Sequence, residues 1–241
     1  MFCSVLTKNR LGGQKGEKLR MITVSNLSLS YGKKSVLQDI SFQAKCGEKV
    51  AIVGKNGCGK TTLMQILAGV MKPNSGSIMY FNENPLKKKN VFRELCGYVP
   101  QDNPLIEELS VKDNLKLWSA VSGKKDNELI SFFDLEEMLK LPINKLSGGM
   151  KRRISIACAL VGWPPILLMD EPTTALDLHY KDSIHSIMDK YRKMNGIILM
   201  TTHDETEILG CDRCLVIHEG RVVELEKKDI TINKIKEYMG I

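Results

Sequence analysis

Residues Gly54-Lys55-Asn56-Gly57-Cys58-Gly59-Lys60-Thr61 fit the pattern G-x-x-x-x-G-K-[ST] without a mismatch. They follow the apolar run Lys49-Val50-Ala51-Ile52-Val53 and precede an apolar-periodic segment over residues 61–70, so the order predicted is strand, loop, helix. That order suits phosphate binding. The glycines let backbone N–H groups converge on phosphate oxygens, and the helix N-terminus adds its partial positive charge. Lys60 is then placed to reach the β- and γ-phosphates of a nucleotide, Thr61 to ligate Mg²⁺, and Thr62 to donate toward the α-phosphate. The competing reading, a Gly-rich turn in an unrelated fold, has to account for eight satisfied positions in the required context.

A second anchor is Ile166-Leu167-Leu168-Met169-Asp170-Glu171, four apolar residues ending in two acids. A buried strand delivers its last side chains to the carboxyl edge of a sheet, where ligands bind in α/β folds. There Asp170 is expected to hold a Mg²⁺ hydration shell and Glu171 to polarise an attacking water. Residues 166–169 and 197–200 are near-continuous apolar runs, the pattern of strands in a parallel sheet covered on both faces. A helix is predicted over 178–194, and a hairpin over 215–225 around Glu219-Gly220. Residues 22–25 and 41–44 are β-like. Residues 103–146 are more polar and helix-prone, and read as a helical lobe inserted between sheet elements.

Composition narrows the class. The chain has 241 residues, a net charge of +7 and 43% hydrophobic residues, ordinary globular usage for one α/β domain with an inserted lobe. Residues 1–20 hold five basic residues against one acid, a net +4, and read as a flexible basic leader. No groove-reading motif or aromatic-basic repeat accompanies the charge, so nucleic acid is not an expected partner. Lys8 and Arg10 cut off the apolar pair Val5-Leu6, which argues against a secretory signal. The longest uncharged stretch, residues 154–169, is broken by Gly162 and Pro164-Pro165 and falls short of the roughly 20 apolar residues of a membrane span. Seven scattered cysteines do not form a disulfide framework, and a reducing cytosol is the expected home. Cys211 and Cys214 have metal spacing but no second pair to complete a four-ligand site.

Between the two anchors lies Leu146-Ser147-Gly148-Gly149-Met150-Lys151-Arg152-Arg153, ahead of a helix predicted over 150–161. A serine hydroxyl and glycine amides at a helix N-terminus make sense as a second anion site. With this run the chain resembles the nucleotide-binding subunits of the ATP-binding-cassette (ABC) family. The resemblance extends over about residues 21–225 and implies an α/β P-loop ATPase fold. That fold has a mixed core sheet, an N-terminal antiparallel β subdomain and an inserted α-helical subdomain at about 103–160, all within one cassette over 21–241. It implies that Tyr31 stacks on adenine. It also implies that Gln101 contacts Mg²⁺ and the attacking water, and that His203 contacts the γ-phosphate. Thr174-Ala175-Leu176-Asp177 would pass between two cassettes. Leu146 to Met150 would close over ATP held by the other cassette, so two chains would meet head to tail around two ATP molecules.

Two positions depart from the common family pattern: Met150 stands where many members have Gln, and Thr174 where many have Ser. LSGGM followed by basic residues resembles stand-alone subunits that power exporters of the ABC-2 kind. The implied function is an ATPase, peripheral on the cytoplasmic face of a membrane, that powers transport through separate transmembrane permease subunits. The alternative is a soluble member serving iron–sulfur assembly, cell division or another mechanical task. Cys58 lies inside the phosphate loop, and alkylating it is expected to block nucleotide binding unless its thiol points away.

Overall fold

Apolar residues recur at near-alternate positions near the start of the chain: Ile22, Val24, Leu27 and Leu29 on one stretch, Leu37, Ile40, Phe42 and Ala44 on the next. They fold it into a long hairpin. The computed structural model describes residues 21–122 and 128–240; the leader expected over 1–20 lies outside them. In the hairpin β1 (Met21–Tyr31) pairs antiparallel with β2 (Lys34–Lys45). The chain continues through β3 (Lys49–Gly54), α1 (Lys60–Leu67) and β4 (Ser75–Tyr80), and β4 returns to the far edge of β1. These strands form the antiparallel sheet β2-β1-β4. Its strands run well beyond the predicted 22–25 and 41–44. A bulge hides the pattern: the register shifts between Val24 and Leu27, and Asn26 and Asp39 take positive φ while Asn26 donates to Asp39 at 2.6 Å.

Next come α2 (Asn90–Leu95), β5 (Cys96–Val99), α3 (Val111–Ser122), α4 (Glu128–Phe132) and α5 (Gly148–Ala159). Then follow β6 (Ile166–Asp170), α6 (Leu178–Lys193), β7 (Ile197–Thr201), α7 (Glu205–Leu209), β8 (Arg213–His218), β9 (Arg221–Glu226) and α8 (Ile232–Tyr238). The second sheet has the order β5-β6-β7-β3-β8-β9, with every neighbouring pair parallel except β8 and β9. It is the mixed sheet expected. The β8–β9 turn closes on His218 and Arg221, with Glu219 and Gly220 both at positive φ as a two-residue hairpin requires. Between β5 and β6 the described chain is helical, through α3, α4 and two 3₁₀ turns (Glu136–Met138 and Ile143–Lys145) to α5.

The near-continuous apolar strands have a direct explanation in two cores, one on each face of the sheet. Ala51 and Val53 of β3, Leu167 and Met169 of β6, and Ile198 and Met200 of β7 join a core with α5 and α6. Their neighbours Val50, Ile52, Ile166, Leu168, Ile197 and Leu199 join a core with α1 and the antiparallel sheet. Every residue of β3, β6 and β7 is buried. Register then aligns the carboxyl ends, because Thr201 pairs with Ile52 on one side and with Asp170 on the other. The loop after β3 and the acids ending β6 emerge on either side of the end of β7, at the sheet edge where ligands bind in such folds. Among the described residues Cys58, Cys96, Cys158, Cys211 and Cys214 are free thiols, and Cys46 is disulfide-bonded.

Candidate functional site

The phosphate loop leaves β3 at Gly54 and enters α1 at Lys60. Gly59 caps the helix at φ 109, and a Cβ there would come within 2.9 Å of Leu37 Cδ2, so glycine suits the position on both counts. No side chain caps α1 and no acid sits in its first turn, which leaves its N-terminal N–H groups open to an anion. Lys60 is only 7% exposed, and its Nζ donates to Gly54 O at 2.9 Å and Lys55 O at 3.3 Å, holding the ammonium against the loop. A cleft of about 540 Å³ runs from Tyr31 and Val36, past Asn56, Gly57, Gly59, Lys60, Thr61 and Thr62, to Gln101, Glu171 and His203. It brings together side chains from five separate segments of the sequence. Tyr31 is half exposed at the end of β1, with its hydroxyl donating to Met71 Sδ at 3.1 Å.

Cys58 is turned inward. A Cβ on Gly54 would lie 2.6 Å from its Sγ, so the thiol packs against the start of the loop, and burial raises its pKa. A raised pKa leaves less thiolate than usual at neutral pH. Alkylation of Cys58 is therefore expected to be slow at pH 7 and to accelerate with pH above 9, as a rate series read by peptide mass spectrometry would measure. This favours the inward-pointing alternative over a thiol exposed to nucleotide.

At the end of β6, Asp170 is 2% exposed; Oδ1 accepts from the Thr201 hydroxyl, while Oδ2 is buried with no hydrogen-bond partner. Glu171 follows at φ 48, an uncommon conformation for a long side chain, one that costs of order 1–3 kcal/mol and persists only where its surroundings enforce it. The enforcing contacts are present. Glu171 N donates to Thr201 Oγ1 at 2.9 Å, and Glu171 Oε2 accepts from Thr174 Oγ1 at 3.1 Å. His203 Nε2 lies 3.3 Å from Oε1, and Gln101 Nε2 makes a long contact of 3.5 Å with Oε2. Below them the buried Glu207 accepts from Thr173 at 2.7 Å and from Thr202, and meets His185 Nε2 at 3.0 Å. Burial opposes its charge, but the hydrogen bonds from His185, Thr202 and Thr173 prevail and hold its pKa below the usual carboxylate value.

Sequence reasoning passed over Arg152 as one of several basic residues. It is 4% exposed, on α5, and its guanidinium reaches the carbonyls of Pro100, Gln101, Asp170, Glu171 and Pro172. Burial pulls its pKa down to about 10, with Asp170 opposing, which leaves it charged at neutral pH. Thr201, Thr202, Glu207 and Tyr180 were missed as well, and only the three-dimensional contacts reveal them. Cys211 and Cys214 are buried, and burial pushes both thiols up to about 12, a poor state for binding metal as thiolates.

Leu146 anchors the second glycine run in the core, while Ser147 and Gly148 are exposed at the start of α5. Ser147 caps that helix, accepting from Met150 N at 3.2 Å, and its Oγ donates to Tyr180 OH at 2.9 Å. Asp177 caps α6, accepting from Tyr180 N at 3.0 Å, and Ala175 sits at φ 60 in the exposed turn before it. None of residues 146–150 lines the cleft that holds Lys60 and Glu171. A Cβ on Gly149 would fall 2.1 Å from Tyr180 Cγ. Gly149→Ala is thus expected to displace the Tyr180 ring and Ser147 with it, lowering turnover at least about 10-fold while one chain still binds ATP normally. Equilibrium binding of a fluorescent ATP analogue beside steady-state turnover checks the split.

The family model of the ABC transporter matches residues 37–174, from β2 through the phosphate loop, the second glycine run and the acids of β6. The chain belongs to the ABC transporter family. The cassette is 36% identical over 211 residues to Nod factor export ATP-binding protein I of Sinorhizobium fredii, covering 84% of this chain and 61% of that protein. It is 32% identical over 217 residues to linearmycin resistance ATP-binding protein LnrL of Bacillus subtilis, covering 86% of this chain and 70% of that one. It therefore spans less than two thirds of the first of these relatives. Among solved structures, an ATP-binding subunit of an ABC transporter superposes with a TM-score of 0.82 at 26% identity, covering 92% of this chain and 100% of the other. A dimeric cassette in a post-hydrolysis state, bound to ADP and Pi, superposes with a TM-score of 0.76 at 27% identity, covering 86% and 98%. The fold is that of the ABC ATPase cassettes, and the cassette is an ATP-binding one by family.

Proposed function

We propose that the cassette binds ATP with Mg²⁺ and hydrolyses it. Two cassettes close over two ATP molecules and drive export through separate transmembrane subunits. The observation that carries this reading is the division of the site. Lys60 and Glu171 share one cleft, whereas Ser147, Gly148 and Gly149 lie outside it, as two half-sites on one chain would require. The names of the relatives, a Nod factor exporter subunit and a linearmycin resistance subunit, support export. Among the described residues no helix is long and apolar enough to cross a membrane. The permeation path would come from the partner subunits, with the cassette on the cytoplasmic face.

Mg²⁺ fits on the chemistry of its donors: the partnerless buried Oδ2 of Asp170, the hydroxyl of Thr61 and the side-chain oxygen of Gln101. When bound, the ion supplies charge neutralisation at the phosphate oxygens. The chain's own groups do the rest. Tyr31 offers an aromatic face to adenine, and the amides of residues 57–62 meet the phosphates. Lys60 exchanges the carbonyls of Gly54 and Lys55 for phosphate oxygens. Glu171 takes the proton of the attacking water, with Gln101 and His203 fixing the position of that water. Ser147 and the glycine amides of the opposing chain stabilise the negative charge spreading over the transferred phosphoryl group, and Ala175, Leu176 and Asp177 run between the chains.

Purification from gently solubilised membranes tests the transport half of the reading. A membrane-spanning protein is expected to co-purify and to alter ATP turnover. Recovery solely with a soluble scaffold such as an iron–sulfur assembly protein would overturn it.

A further inference from the structure

The guanidinium of Arg152 is a junction. Its five N–H donors meet five backbone carbonyls: Nε reaches Pro172 O at 2.9 Å, Nη1 reaches Pro100 O and Gln101 O, and Nη2 reaches Asp170 O at 2.7 Å and Glu171 O at 3.2 Å. These carbonyls belong to two strand ends far apart in sequence. One segment follows β5 and carries Gln101; the other is the end of β6, at Asp170, and the turn after it, with Glu171. Arg152 itself stands five residues after Ser147 on the helix that Ser147 caps. Burying a guanidinium is costly unless its donors are satisfied, and here backbone acceptors satisfy them rather than a carboxylate. The geometry fixes backbone positions, since a planar fork with five donors dictates where its acceptors stand.

We infer that Arg152 is a positioning residue for hydrolysis: it holds Gln101 and Glu171 at their working separation and ties that separation to the helix bearing the second glycine run. The inference rests on the proposed role of Glu171 and extends it to a residue that never touches nucleotide. The contact most exposed to its loss is the 3.5 Å approach of Gln101 to Glu171, because the two side chains sit on the two segments that Arg152 joins. Lysine preserves the charge but offers three donors around one point, so it cannot satisfy both segments in the same geometry. A displacement of about 1 Å at a reacting centre costs on the order of 100-fold in rate.

The test uses the full chain with Arg152→Lys and Arg152→Gln, turnover being normalised to titrated ATP-binding sites so that any unfolded fraction drops out. The expected result is an ATP affinity within about 2-fold of the parent and a kcat lower by about 10- to 100-fold, with Lys less impaired than Gln. Single-turnover hydrolysis of the Glu171→Gln, Arg152→Lys double variant is expected to fall below that of Glu171→Gln alone by much less than the loss Arg152→Lys causes by itself, because both changes act on the Gln101–Glu171 pair. A full additional loss in the double variant would overturn the inference, as would a site-normalised kcat at the parent level in Arg152→Gln. Full turnover by Glu171→Gln alone would instead defeat the proposed role of Glu171, which keeps the two failures distinct.

Discussion

Glu171→Gln is expected to leave ATP binding intact while lowering turnover by about 100- to 10,000-fold, the range lost when a positioned general base is removed. Glutamine keeps the size of the side chain and can still meet Thr174 Oγ1 and His203 Nε2, so the left-handed backbone at φ 48 should persist. What disappears is the capacity to take a proton. ATP then outlives the encounter of two chains, and an ATP-bound dimer should accumulate on size-exclusion chromatography with Mg²⁺ and ATP present. Steady-state hydrolysis at the parent rate would remove Glu171 from its assigned role.

Lys60→Ala should act earlier in the cycle. The ammonium is nearly buried, and its hydrogen bonds at present end on loop carbonyls rather than on a carboxylate, so it is free to transfer to phosphate. A charge-assisted hydrogen bond contributes about 1.5–3 kcal/mol, and its loss predicts ATP affinity weaker by roughly 10- to 100-fold with turnover falling further. Because Gly59 caps the helix and Lys60 makes no ion pair among the described contacts, the melting temperature without nucleotide should change little. Calorimetric titration with ATP beside thermal melting separates the two effects. Unchanged affinity would place the phosphates away from this loop.

The contiguous motifs were legible in the sequence because each packs its chemistry into one short run. The phosphate loop and the strand ending in Asp170-Glu171 both emerge at the predicted edge of the sheet. The strands of the first sheet were legible only in part, since the bulge at Asn26 breaks the alternation that marks a strand. Arg152 was invisible for a different reason. Its partners are main-chain carbonyls, which carry no residue identity, and Lys151-Arg152-Arg153 has the composition of a solvated surface. Lys151 and Arg153 are themselves partly buried and pair with the more exposed Glu107 and Asp134, so the run is less solvated than its composition suggests. Tyr180 was hidden likewise, because its link to Ser147 spans 33 positions.

The placement of Ser147 outside the cleft has a kinetic consequence. If hydrolysis of each ATP needs Lys60 and Glu171 from one chain and Ser147 from another, an isolated chain binds ATP without turning it over. The initial rate of the purified cassette then rises with the square of its concentration when dilute and becomes linear only once pairs predominate. Two impaired variants, Glu171→Gln and Gly149→Ala, mixed in one tube would regain one competent interface in each mixed pair, the interface whose cleft and glycine run both come from unaltered residues.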